Sequence, residues 1–133
     1  MAESKIHPTL VMKGNWGEVH FAQRLNDEQP VRAFLTNECP ENELPKLMEL
    51  FRRMAQDGNI PNIQKYKKID GVIHEFKANE VRISCYTDAS KRRCYLLHAF
   101  LKKQDAWPHG ELQRAINLLH EHLEFLKTKG GPQ

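Results

Sequence analysis

Residues 94–101 (CYLLHAFL) constrain the fold of this 133-residue chain more than any other stretch. Apart from His98 they are apolar at odd and even positions alike. Side chains of a strand alternate between two faces. A strand that is apolar on both faces belongs at the centre of a sheet, covered on at least one side by helices.

Two further strands precede it, at residues 72–77 and 81–88. In the second, Val81, Ile83 and Cys85 share one face, and Arg82, Ser84 and Tyr86 the other. Short connections between successive strands imply an antiparallel meander. Phe76 must lie on the core face with Val81, Ile83 and Cys85. A two-residue turn then places Glu75 and Lys77 on the open face beside Arg82 and Tyr86.

Upstream, residues 18–25 alternate as a first strand, and residues 60–68 read as a loop carrying a basic cluster. A short helix through Val31, Phe34 and Leu35 ends by Pro40. A clearer helix covers residues 43–56, where Leu44, Leu47, Met48, Phe51, Met54 and Ala55 form one stripe. Gly58 is placed to stop it, and Arg52 and Arg53 lie off the stripe as solvated surface. Residues 108–127 form a last helix, with Pro108 in its first turn and a stripe through Leu112, Ala115, Ile116, Leu119, Leu123 and Leu126. The predicted architecture is α+β in the order β-α-α-β-β-β-α: an antiparallel sheet with helices packed on one face, leaving the other face as a working surface. Residues 1–18 read as an extension or a short extra element, 19–127 as a single domain and 128–133 as a tail.

No run reaches the roughly 18 apolar residues of a membrane span. The start of the chain lacks the apolar segment of a secretory leader, so a cytoplasmic location is expected. Cys39, Cys85 and Cys94 have no C-x-x-C spacing, which argues for core residues rather than a disulfide framework or a metal site. No cofactor or metal motif is present. The net charge is only +3, but residues 65–103 hold ten Lys and Arg against four acids. That asymmetry points to a polyanion partner such as RNA or to a solvated lysine-rich surface.

Glu75, Lys77, Arg82 and Tyr86 on one face, with Lys102 and Lys103 at a neighbouring strand end, are the parts needed to cleave RNA without a metal. The attacking 2′-hydroxyl needs a base, the phosphorane needs fixed cations, and the leaving oxygen needs a proton. A cross-strand Glu75–Arg82 ion pair with no further role is the alternative. His74 and His98 read as core or edge histidines, and Trp16 and Trp107 as packing anchors.

Residues 65–125 resemble the phage-derived HigB branch of the RelE/ParE toxin superfamily. The resemblance rests on a K-K-I-D-G lead-in at Lys67, an I-H-E-F-K strand at Ile73, a V-R-I strand at Val81 and an L-L-H-A-F-L-K-K strand end at Leu96. It departs from the family's usual pattern at Val81, where an aromatic residue is common. The resemblance implies a RelE-like fold and the toxin of a type II toxin–antitoxin pair. Such a toxin would be an mRNA interferase, often ribosome-dependent, neutralised by a helix-turn-helix antitoxin. It implies that Arg82 holds the scissile phosphate and that Lys103 or Lys102 stabilises the transition state. Glu75 or Lys77 would be the base, and Lys65, Lys67 and Lys68, with Lys91, Arg92 and Arg93 in the following basic turn, would contact RNA. Two alternatives stay open: a ParE-like gyrase inhibitor, and a phage-derived RNA-binding module without activity.

Overall fold

The computed structural model describes residues 8–102 and 110–129. Nine main elements follow one another: β1 (Leu10–Lys13), β2 (Glu18–Phe21), α1 (Pro30–Asn37), α2 (Leu44–Asp57), β3 (Tyr66–Asp70), β4 (Ile73–Ala78), β5 (Val81–Asp88), β6 (Arg93–Leu101) and α3 (Glu111–Lys129). The strands form one sheet in the order β1-β2-β6-β5-β4-β3. All neighbours are antiparallel except β2 and β6, which run parallel. The fold is α+β and RelE-like, as the sequence predicts.

The apolar strand lies inside the sheet, between β2 and β5. Cys94 and Leu96 point into the main core with Val19, Phe51, Phe76, Val81, Ile83 and Cys85, under α1 and α2. Tyr95 and Leu97 point the other way, onto Ala115 and Leu119 of α3. The helices therefore cover both faces of the sheet, where the sequence reading placed them on one. The reason lies in β6 itself. Leaving Tyr95 and Leu97 in water would forfeit about 1.5–3 kcal/mol for each large side chain, and the stripe of α3 is the apolar surface available to cover them.

One more departure lies at a sheet edge: residues 66–70 form the edge strand β3, where the sequence reading had a loop, while residues 10–13 form the opposite edge strand β1, a short extra element. An edge strand buries little and carries charge without penalty. In β3 only Tyr66 turns fully inward while Lys67 and Lys68 stay exposed, so the apolar alternation that marks a strand is missing. The predicted first strand is shorter than read, ending at Phe21.

Helix α2 ends at Gly58, which takes φ 75° and donates its N–H to the Met54 carbonyl. The turn before β2 completes this terminus: the N–H groups of Trp16 and Gly17 both donate to the Ala55 carbonyl, at 3.0 Å each. Carbonyls at a helix C-terminus lack partners within the helix, so this loop satisfies one and fixes β1 and β2 against α2.

His122 anchors α3 to the sheet. It is 1% exposed, packs on Tyr95 with ring centroids 4.4 Å apart, and accepts the Gln23 backbone N–H at Nδ1 (3.2 Å). Burial pushes its pKa down to about 4, and nearby His20 acts in the same direction. An unfolded histidine titrates near 6.5. The unfolded chain therefore binds the proton first, and the stability this histidine confers is complete above pH 6.5 and lost as pH falls toward 4. Denaturant unfolding at pH 4.5 should show a loss of about 2–3 kcal/mol from this group relative to pH 7. In His122→Gln the loss should be smaller by about that amount, the remainder coming from His20 and His74, whose pKa values burial also lowers, whereas an equal loss in both proteins would remove His122 from the acid sensitivity.

Candidate active site

The β4–β5 hairpin builds the site. Its two-residue turn, Asn79-Glu80, brings Ala78 opposite Val81, Lys77 opposite Arg82 and Glu75 opposite Ser84. Asn79 takes φ 52°, a conformation that Asn tolerates better than most residues. Its side-chain amide donates to Oε2 of buried Glu43 at 2.7 Å, and this bond holds the Glu43 carboxyl below its ordinary pKa. The turn is thus clamped to the start of α2.

Glu75, Lys77 and Arg82 share one face, the face that α3 partly covers. Lys67 of β3 lies opposite Glu75 and joins them. The face is more enclosed than the sequence predicts. Glu75 is fully buried, and the Arg82 side chain is 15% exposed, with its Nε 3.9 Å from the Glu75 carboxylate. Nη1 of Arg82 donates to the carbonyls of Val81 (3.0 Å) and Asn79. Nη2 makes no hydrogen bond among the described residues, so that end of the fork is available to a ligand. The expected Glu75–Arg82 approach is present as a contact longer than a hydrogen bond, while the hydrogen bonds of the guanidinium run to backbone carbonyls.

Lys77 sits between Lys67 and Arg82. Burial lowers its pKa; the nearby charges of Lys67, Arg82 and Lys102 lower it further, and that of Glu75 opposes them. Lys102 follows the end of β6, where its N–H donates to the Glu80 carbonyl at 2.7 Å. Lys103 and Trp107 lie outside the described residues. Beside Lys77, a groove of about 540 Å³ opens between α2 and the β3–β4 edge, lined by Lys46, Arg53, Lys65 and Asn79 among others.

The other predicted basic residues divide. Lys65, Lys67 and Lys68 are exposed along the β3 edge, with Lys68 on the opposite face from Lys67. Lys91 and Arg92 are exposed at the far end of β5 from Arg82. Arg93 is 8% exposed and pairs with Glu18 at 3.5 Å, so it faces inward. Tyr86 lies two residues beyond Ser84 on the same face and packs toward α3. Cys85 and Cys94 are fully buried in the core and Cys39 partly buried, all as free thiols. His74 stacks on Tyr66 in the core-edge position its parity indicates.

Two residues escaped the sequence reading, His98 and its partner Glu111. His98, taken as a core histidine, is displaced by a β-bulge at Leu97: Leu96 opposes Cys85 while His98 opposes Ser84. The bulge puts His98 on the Arg82 face, where Nε2 lies 2.7 Å from Glu111 Oε1 of α3. The signal for it was weak, because a strand apolar on both faces carries no phase that a bulge could visibly break.

Among the described residues no helix is long and apolar enough to cross a membrane. A family model described as "Phage derived protein Gp49-like (DUF891)" matches residues 36–120, a span running from the end of α1 through β6 into α3. No curated protein matches the chain.

Proposed function

We propose that this chain, which belongs to the phage-derived Gp49-like family within the RelE/HigB-like toxins, is a metal-independent mRNA interferase of the HigB type, acting in the cytoplasm on messages at the ribosome. The observation that carries this reading is Lys77, a lysine of lowered pKa set directly across the strand pair from the Arg82 guanidinium.

RNA cleavage of this kind begins with a 2′-hydroxyl attacking the adjacent phosphorus. A neutral Lys77 amine takes the hydroxyl proton; a lysine becomes a practical base when its pKa is depressed. Arg82 offers Nη2 to a phosphate oxygen, and Lys102 adds positive charge as the phosphorane forms. Lys103 matches the family's basic residue after the last strand and supports the same charge. Glu75, fully buried, serves as the anchor of Arg82. The message backbone follows Lys65 and Lys67 along the β3 edge and enters the groove beside Arg53, while Lys68, Lys91 and Arg92 extend the contact. Residues 19–127 form the toxin domain, with β1 added to its sheet. A helix-turn-helix antitoxin neutralises the toxin by covering this basic face.

The sign of the pH dependence follows from the base. Lys77 must be unprotonated, so the cleavage rate in a translation reaction should rise with pH on the acid limb, and fall again where the group that protonates the leaving oxygen loses its own proton. Lys77→Arg keeps the charge but cannot lose its proton, and should cut the rate by about 100-fold or more. An unchanged rate in Lys77→Arg would remove Lys77 as the base.

A further inference from the structure

The proposed reaction still lacks a group that protonates the leaving oxygen. His98 has the placement for it. The bulge at Leu97 turns His98 and Phe100 out of the main core, and Phe100 stands opposite Arg82, so His98 is the diagonal neighbour of Arg82 on the same face. Diagonal neighbours lie roughly 7 Å apart, within reach of long side chains. Ser84, opposite both His98 and Glu75, is fully buried and donates its hydroxyl to the His98 carbonyl at 3.1 Å.

The ring is oriented from two sides. Nε2 is held by Glu111 at 2.7 Å, and the ring stacks on Phe100 with centroids 5.8 Å apart. Nδ1 makes no hydrogen bond among the described residues. The side chain is 16% exposed, and it also borders a cavity of about 300 Å³ lined by Arg24, Pro30, Arg114, Asn117, Leu118 and Glu121, to which Arg82 and Lys77 do not contribute. A carboxylate that orients one imidazole nitrogen and leaves the other to the reactants is the arrangement of an acid–base histidine.

We infer that His98 is the general acid of RNA cleavage and that Glu111 is its positioning residue. This rests on the interferase reading. In the step, the bond from the 2′-oxygen to phosphorus forms and the bond from phosphorus to the 5′-oxygen breaks. Lys77 takes the 2′-hydroxyl proton, and the His98 imidazolium gives its Nδ1 proton to the departing 5′-oxygen. The products are a 2′,3′-cyclic phosphate and a 5′-hydroxyl. Exchange with water returns both side chains to their starting states.

The test uses the full-length protein and a message carrying, at the mapped cut, either the natural 5′-oxygen or a bridging sulfur, a leaving group that needs no proton. His98→Gln should slow cleavage of the natural message by about 100-fold or more and cut the sulfur message at nearly the wild-type rate. Glu111→Gln should show a smaller loss with the same rescue, and supplies the result if His98→Gln does not fold. Equal losses on both messages, or no loss on either, would overturn the role of His98 while leaving the interferase reading intact. A wild-type protein that cuts neither message would overturn both.

Discussion

Replacing Arg82 with lysine is expected to reduce message cleavage by at least about 100-fold while leaving a folded protein. Lysine keeps a positive charge beside the buried Glu75. It lacks the planar fork, and a single ammonium cannot meet the Val81 and Asn79 carbonyls and a phosphate oxygen in the geometry that Nη1 and Nη2 provide. Arg82→Ala should also be inactive, but with a second effect. The arginine is largely enclosed, and its removal withdraws a cation beside buried Glu75 together with its own hydrogen bonds to the Val81 and Asn79 carbonyls. A stability loss of about 1–3 kcal/mol is expected there, readable as a lower denaturant midpoint. The lysine variant is therefore the cleaner probe of chemistry, and the alanine variant a probe of the scaffold. If Arg82→Lys cleaves as wild type does, the fork has no part in the reaction.

The largest expected effect on stability lies far from the site, at Gly17. A Cβ there would meet the Arg92 carbonyl oxygen at 2.0 Å, with Arg92 backbone carbon also inside 3.0 Å. These are backbone atoms that cannot swing aside. The same segment makes the Glu18 N–H to Arg92 carbonyl bond (2.9 Å) and the two bonds that close the end of α2. Gly17→Ala must therefore open the β2–β6 junction or release the cap. A loss of about 3 kcal/mol, roughly 10 °C in Tm, is expected. Gly71→Ala is the control for space: nothing lies within 4 Å of its Cβ, and only its φ of 53° opposes the substitution. Thermal unfolding of the pair should show Gly17→Ala as much the worse; similar melting points would mean that the junction yields easily.

The parts of this molecule that could be read in the sequence are those where one periodicity dominates. The stripe of α2 and the stop at Gly58 follow from spacing and from the need for a left-handed residue after the helix. The register of β4 on β5 follows from Phe76, Val81, Ile83 and Cys85, which can share a core only with a two-residue turn. That register is what places Lys77 across from Arg82. Where two signals overlap, reading fails. Strand β6 is apolar on both faces, so neither the side taken by α3 nor the bulge at Leu97 could be seen, and nothing in the sequence put His98 on the Arg82 face. Strand β3 spends its residues on an exposed basic edge and loses its alternation. The burial of Glu75 depends on side chains far apart in sequence, and the pKa of Lys77 on four charges from three strands and a strand end. Such convergence has no local signature.

The measurement closest to the central claim is primer extension on a reporter message in an in vitro translation reaction, with wild-type protein beside Arg82→Lys, with and without ribosomes. Discrete cuts from the wild type, dependent on ribosomes and absent or strongly weakened with Arg82→Lys, are the predicted result. No cuts from the wild type under either condition, or the same cuts at the same strength from both proteins, would contradict it.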